Sequence, residues 1–175
     1  MGAGVVPSTG AFKGVSKERD GSIVVDQFMS ATPDKSLFCG GDIARYPYHR
    51  TNNSLVRIEH LGMAQFHGKI AAKNMLDRLT PNTSIPFFWT TAHGKSLRYC
   101  GHALRYDQVV IEGDLAKLEF VAYFAFEGVV LAAASIGRDP VVALVAELMH
   151  NDKMPLLKDL LKEKAEGKIT LGGRI

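Results

Sequence analysis

Cys39-Gly40-Gly41-Asp42 is the first stretch of this sequence whose residue types and spacing could do chemistry. Two successive glycines carry no side chain, so a ligand's backbone or sugar chain can come within contact distance there. A carboxylate held just past a strand end accepts hydrogen bonds from hydroxyl groups. A Gly-Gly-Asp step after a strand is also an ordinary turn, in which Asp42 only caps the chain reversal. A helical segment follows nearby, and its N-terminal amides offer donors and a partial positive charge to an electron-rich ligand atom. Turn and helix together point to an anionic or redox-active ligand.

Several elements must hold those residues in place. Residues 22–26 read as a short strand after the turn Arg19-Asp20-Gly21, and residues 35–39 as a second, ended by Gly40-Gly41-Asp42. Asn52, Asn53 and Ser54 supply N-cap side chains before a helix predicted over residues 55–79, stopped by Thr80-Pro81-Asn82. Its small residues Gly62, Ala64, Gly68, Ala71 and Ala72 imply that something approaches its backbone closely. From Pro86 the pattern changes to four strands, 96–101, 108–112, 118–126 and 129–135, with Glu112-Gly113-Asp114 and Glu127-Gly128 as turns, an antiparallel meander. Asp139-Pro140 opens a helix to about His150, and a charged surface helix is expected over residues 156–164.

Other residues offer less. Cys39 and Cys100 stand far apart, in neither a CxxC nor a metal-ligand spacing, so a disulfide scaffold or zinc site is not expected and a reducing intracellular setting fits. Cys39 reads as a small buried hydrophobe, and Met63 and Phe66 as core. His49, His67, His93, His102 and His150 form no HxxxH pair and read as structural or exposed. Lys153, Lys158, Lys162, Lys164 and Lys168 read as a solvated face.

The 175 residues are 46% hydrophobic and 22% charged, a globular balance that excludes long disorder. The longest apolar run, residues 129–136, is far short of the about 18 residues a membrane span needs, so no span is expected. Twenty-one Lys and Arg against 18 Asp and Glu leave +3, interspersed rather than blocked, so nucleic acid is not demanded as a partner. Gly2-Ala3-Gly4-Val5-Val6-Pro7 has neither a charged region nor an apolar or Arg-rich leader; no targeting segment is expected, and the chain is expected to begin inside a larger element.

Three stretches carry a family resemblance: Ser36-Leu37-Phe38-Cys39-Gly40-Gly41-Asp42-Ile43-Ala44, then Arg57-Ile58-Glu59-His60-Leu61-Gly62-Met63-Ala64, then Phe87-Phe88-Trp89-Thr90. Together they resemble the carboxyl-terminal third of the apoptosis-inducing factor and bacterial dioxygenase ferredoxin reductase family. Gly94-Lys95-Ser96-Leu97-Arg98-Tyr99 and Val110-Ile111-Glu112-Gly113-Asp114-Leu115 are similar to the branch whose full-length members carry an N-terminal Rieske domain. The resemblance implies an α+β chain. Residues 1–85 would be the returning piece of an FAD-binding α/β domain, and residues 86–175 a reductase C-terminal domain with an antiparallel sheet of about four strands and flanking helices.

By the same resemblance, Gly41 and Asp42 bind the cofactor, with Asp42 on the ribityl chain of FAD. His60 and Leu61 lie at the flavin ring, where the helix dipole stabilises negative charge on the reduced ring. Glu59 lies on the nicotinamide side, and Trp89 against the flavin and nicotinamide. Read without the family, His60 can simply satisfy backbone groups at a helix start, and Trp89 can plug a seam between two lobes. No catalytic residue and no metal are assigned. Two departures stand out: Phe88-Trp89-Thr90-Thr91 lacks the family's acidic residue after the tryptophan, and Arg98 stands at an acidic nicotinamide-side position, which is therefore not carried over.

The resemblance implies an FAD-dependent NAD(P)H oxidoreductase in which hydride passes to the flavin and electrons leave for an iron-sulfur or Rieske acceptor. Its partners would be the N-terminal FAD and NAD domains of the full-length protein, with a homodimer also in view. The setting would be mitochondrial or cytoplasmic and the wider association apoptosis. No GxGxxG fingerprint opening a βαβ unit is present, so this chain by itself is expected to bind FAD weakly and to be inactive. The other reading is a stand-alone α+β interaction module that binds a protein or nucleic acid without flavin. If residues 1–85 are half of a domain, limited proteolysis should trim the chain to a resistant core beginning near Pro86; equal protection of both halves would contradict that division.

Overall fold

A computed structural model describes residues 4–167 and 169–171. The chain divides into two compact units, Met1–Ser84 and Ile85–Ile175.

The first unit holds a three-stranded sheet in which β1 (Ile23–Val24) pairs parallel to β2 (Ala44–Tyr48), and β2 pairs antiparallel to β3 (Ser54–Val56). The strand expected over residues 22–26 narrows to two residues, with Val25 adding one amide bond to the Arg45 carbonyl at 2.9 Å. No strand forms over residues 35–39. Asp34 Oδ1 accepts from the Ser36 amide and hydroxyl, and Thr32 Oγ1 from the Ser36 and Leu37 amides, so short polar side chains take the donors a ladder would need. Only the bridge between Ser30 and Phe38 remains.

The helix predicted over residues 55–79 is shorter: α1 spans Leu61–Met75. Leu55 and Val56 belong instead to β3, where they pair with Pro47 and Tyr46. Asn52 and Asn53 take left-handed backbone (φ 51° and 57°) in the turn before β3 rather than capping a helix. At the other end Asn74 donates to the carbonyls of Phe28 and Thr80 and accepts the Thr80 amide, which ties off the chain. β2 went unread in the sequence; its buried side chains Ala44, Tyr46 and Tyr48 alternate with Arg45 and Pro47 as a one-sided strand requires.

The second unit is a five-stranded antiparallel sheet: β4 (Phe87–Ala92), β5 (Lys95–Gly101), β6 (Gln108–Asp114), β7 (Glu119–Phe126) and β8 (Val129–Ile136). Their order is β4-β5-β8-β7-β6, so only β6 to β8 form a meander and the chain crosses from β5 to the far edge. β4 adds a fifth strand to the about four expected, and the α+β class holds. Glu112-Gly113-Asp114 is not a turn but the end of β6, paired with Val121, Phe120 and Glu119. The turn lies beyond it, where Asp114 Oδ1 accepts the Ala116 and Lys117 amides.

Two helices, α2 (Val141–His150) and α3 (Leu157–Ala165), share a core with one face of the sheet. Val142, Val145 and Met149 of α2, at helical spacing and joined by Leu148, meet Cys100, Val110, Val121, Tyr123 and Ala133. Leu157 and Leu160 of α3 join them, while Lys153, Lys158, Lys162 and Lys164 stay exposed as expected; Lys168 lies outside the described residues. The opposite face carries aromatic rings, with Phe88 stacked on Tyr99 at 5.9 Å and Phe124 against Tyr99 and Tyr106. Among the described residues no helix is long and apolar enough to cross a membrane.

Leu148 is fully buried where α2 meets the sheet. Leu148→Ala should cost about 2–5 kcal/mol in urea unfolding, because the rigid sheet cannot collapse into the cavity.

Candidate functional site

The Gly-Gly-Asp step leaves Cys39 and enters a single 3-10 turn, Gly41–Ile43. Gly41 is buried with φ +71°, a left-handed conformation that disfavours any residue with a Cβ. A Cβ on Gly40 would lie 2.8 Å from that of His67, and one on Gly41 3.2 Å from that of Ala64. His67 and Ala64 are both on α1. The body that comes close to the small-residue helix is therefore this turn, and both glycines serve the fit of turn to helix. Gly68 is different, since a Cβ there meets nothing within 4 Å.

One buried hydrogen bond joins the two elements. The Gly41 amide donates to Nδ1 of His67 at 3.1 Å. The imidazole is fully buried, its edge set against Tyr46 with ring centroids 4.6 Å apart. With Nδ1 accepting, the ring proton belongs on Nε2. Burial pushes the His67 pKa down to about 4, so the ring stays neutral and the acceptor available at physiological pH.

A charged network holds the other side of the turn. Arg57 Nη1 donates to the Asp42 carbonyl at 3.0 Å, its Nη2 lies 2.6 Å from Glu59 Oε1, and its Nε reaches Asp20 Oδ2 at 3.0 Å. Arg45 meets the same Asp20 oxygen at 2.8 Å. The Ser22 hydroxyl and amide, with the Arg45 guanidinium, hold the Asp20 carboxyl well below the usual carboxylate range. The Gly41–Asp42 backbone is thus held at both ends, at the Gly41 amide and the Asp42 carbonyl, while the Asp42 side chain stays exposed.

The remaining expected site residues fall as follows. His60 is the N-cap of α1, its Nδ1 accepting the Gly62 amide at 3.1 Å and its carbonyl the Ala64 amide at 3.0 Å. A ring nitrogen here does the work usually left to Ser or Asp. Leu61 follows, 71% exposed. Glu59, Arg57 and Asp42 are joined through the contacts above. Trp89 belongs to the other unit, on the edge strand β4 opposite Arg98, and is 63% exposed. Arg98 itself pairs with Asp139 at 2.6 Å.

Asp20, Arg45, Arg57 and His67 were not singled out as site residues in the sequence. Asp20 and Arg57 are 37 positions apart, and Gly41 and His67 26, so no local spacing could have paired them. Cys39 and Cys100 are both buried, and burial pushes the Cys39 thiol up, away from redox reactivity. Among the described residues no three His, Cys, Asp or Glu side chains gather as metal ligands.

A neutral buried imidazole makes stability depend on pH. Between its ordinary 6.5 and about 4 the unfolded chain holds a proton that the folded chain does not. The stabilisation from neutral His67 is therefore complete above pH 6.5 and declines as pH falls toward 4. Urea unfolding should show this decline in the natural chain and a flatter profile over the same range in His67→Asn; matching slopes would acquit His67.

Comparison with known proteins sets these features in a family. Residues 87–167 match the family described as reductase C-terminal. Apoptosis-inducing factor 3 of Mus musculus and that of Homo sapiens are each 39% identical over 155 residues, 87% of this chain but 26% of their own length. Rubredoxin-NAD(+) reductase of Ectopseudomonas oleovorans is 32% identical over 127 residues, 70% of this chain and 32% of its own. Among solved structures, the ferredoxin reductase for the CYP199A2 system from Rhodopseudomonas palustris superposes with a TM-score of 0.78 at 25% identity, covering 90% of this chain and 38% of that one. The chain thus spans about a quarter of the length of the first two relatives. Residues 87–167 belong to the reductase C-terminal family, and the chain over most of its length is homologous to apoptosis-inducing factor 3 and to bacterial ferredoxin reductases.

Proposed function

We propose that this chain is the carboxyl-terminal part of an FAD-dependent NAD(P)H oxidoreductase of apoptosis-inducing factor type, with residues 1–85 as the returning piece of its FAD-binding domain. The observation that carries the reading is the Asp42 carboxylate, exposed on a backbone clamped by His67 and Arg57, in a chain homologous to named reductases. The donor and acceptor set suits the cofactor: an exposed carboxylate accepts from the hydroxyls of a polyol, and the N-terminal turn of α1 offers positive potential to an electron-rich ring.

In this reading Gly41 and Asp42 hold the ribityl chain, and His60 and Leu61 lie at the ring. Glu59, steadied by Arg57, serves the nicotinamide side, and the exposed ring of Trp89 is the aromatic contact that the resemblance implies. FAD held by these residues would supply the hydride chemistry with NAD(P)H and one-electron release to the acceptor. The protein's own groups bind, orient and bias charge; none of them is asked to form a bond. The acceptor is a ferredoxin-like iron-sulfur protein or a Rieske domain, in keeping with relatives named for ferredoxin and rubredoxin. A mitochondrial or cytoplasmic setting belongs to the same proposal.

Flavin absorbance of the purified chain, with and without added FAD, provides the test. The chain alone should remain colourless or bind FAD weakly, whereas the intact protein should bind it tightly and be reduced by NAD(P)H. Asp42→Ala in the intact protein should lose about 1.5–3 kcal/mol of FAD affinity, the worth of hydrogen bonds to a charged group. An intact protein that stays colourless in FAD would overturn the reading in favour of an interaction module.

A further inference from the structure

His67 is fully buried, yet it lies 26 positions from the Gly41 amide that it accepts. Its Cβ occupies the space in which Gly40 could have carried one, so the ring and the turn are fitted to each other. The bond it accepts fixes the peptide joining Gly40 to Gly41, and Arg57 on the Asp42 carbonyl fixes the peptide joining Asp42 to Ile43, so the Gly41–Asp42 pair is held at both ends. A side chain that only filled the core would need no acceptor nitrogen at this point.

We propose that His67 is the positioning residue of the Gly41–Asp42 turn, setting where the Asp42 carboxylate points and so the affinity of the site for flavin without touching the cofactor. The flavin half of this proposal rests on the function proposed above; the positioning half rests on the chain alone. Burial keeps the imidazole neutral, which preserves the accepting lone pair.

Two variants separate the roles. His67→Asn places an amide oxygen the same number of bonds from the backbone as Nδ1 and keeps an acceptor; His67→Leu keeps apolar bulk and removes it. In this chain, amide hydrogen exchange at Gly41 should quicken about tenfold or more in His67→Leu, the loss of one buried hydrogen bond, and stay within about threefold in His67→Asn. In the intact protein FAD binding should weaken about tenfold in His67→Leu, with a shifted flavin spectrum, and His67→Asn should restore both. Unchanged Gly41 exchange in a folded His67→Leu chain would overturn the proposal, as would an equal loss of FAD affinity in both variants. Should His67→Leu not fold, the ring 15N shifts of the natural chain decide: a proton on Nε2 supports the role and a proton on Nδ1 overturns it. If Gly41 exchange responds but the natural intact protein binds no FAD, the flavin half falls and the positioning half stands.

Discussion

The Gly41 amide cannot be left unpaired inside the fold, and no strand is in register to receive it. A buried N–H without an acceptor costs about 1–3 kcal/mol, so the turn must find one elsewhere. It finds it in the Nδ1 of His67 at 3.1 Å, on the helix that follows two strands later. Much of the first unit follows from that bond. α1 must come close enough for a ring nitrogen to reach a backbone amide, which is possible only if the residues facing it at 40 and 41 have no Cβ and the helix offers Ala64 beside them. Once seated, the helix begins at His60, whose own ring caps it.

Charge completes what packing begins. Arg57 is the hub: it bonds the Asp42 carbonyl, pairs with Glu59 and shares Asp20 with Arg45. Two guanidinium groups and two carboxylates in partial contact with water contribute little net stability one by one, but together they restrict geometry. Their effect falls on backbone position. Asp42 thereby keeps a fixed main chain and a side chain free to meet solvent or a ligand, an economical way to prepare a carboxylate for hydroxyl groups.

The second unit meets a different demand. A five-stranded antiparallel sheet needs at least one covered face, and α2 and α3 cover one through Val142, Val145, Leu148, Met149, Leu157 and Leu160. The strand order β4-β5-β8-β7-β6 puts β8 at the centre, and its sequence reflects that: Val130, Leu131, Ala132 and Ala133 are all apolar and buried, on a strand with neighbours on both sides. Gly101 ends β5 with φ +76°, its missing Cβ making room for the Leu131 carbonyl across the ladder.

The sequence by itself determined what periodicity and residue chemistry can carry. Asp139-Pro140 made the start of α2 legible, the apolar and aromatic run before the Glu127-Gly128 turn made β7 legible, and the string Cys39-Gly40-Gly41-Asp42 marked the turn on which the candidate site is built. The motifs of the family were equally local, each a short run of neighbours. Tertiary structure alone decided the rest, because the competing forces acted between distant residues. Leu55 and Val56 could have opened a helix and instead paired with β2; residues 35–39 could have been a strand but lost their amides to Asp34 and Thr32. β5 took β8 as its neighbour over the strand next in sequence. The helix that comes close to the two glycines lies more than twenty positions further along the chain, and His67, which reads as structural or exposed, is the acceptor that fixes the turn. Propensity and pattern describe what a segment can do with its neighbours in the chain; which unpaired amide meets which buried nitrogen is settled only when the elements are packed together.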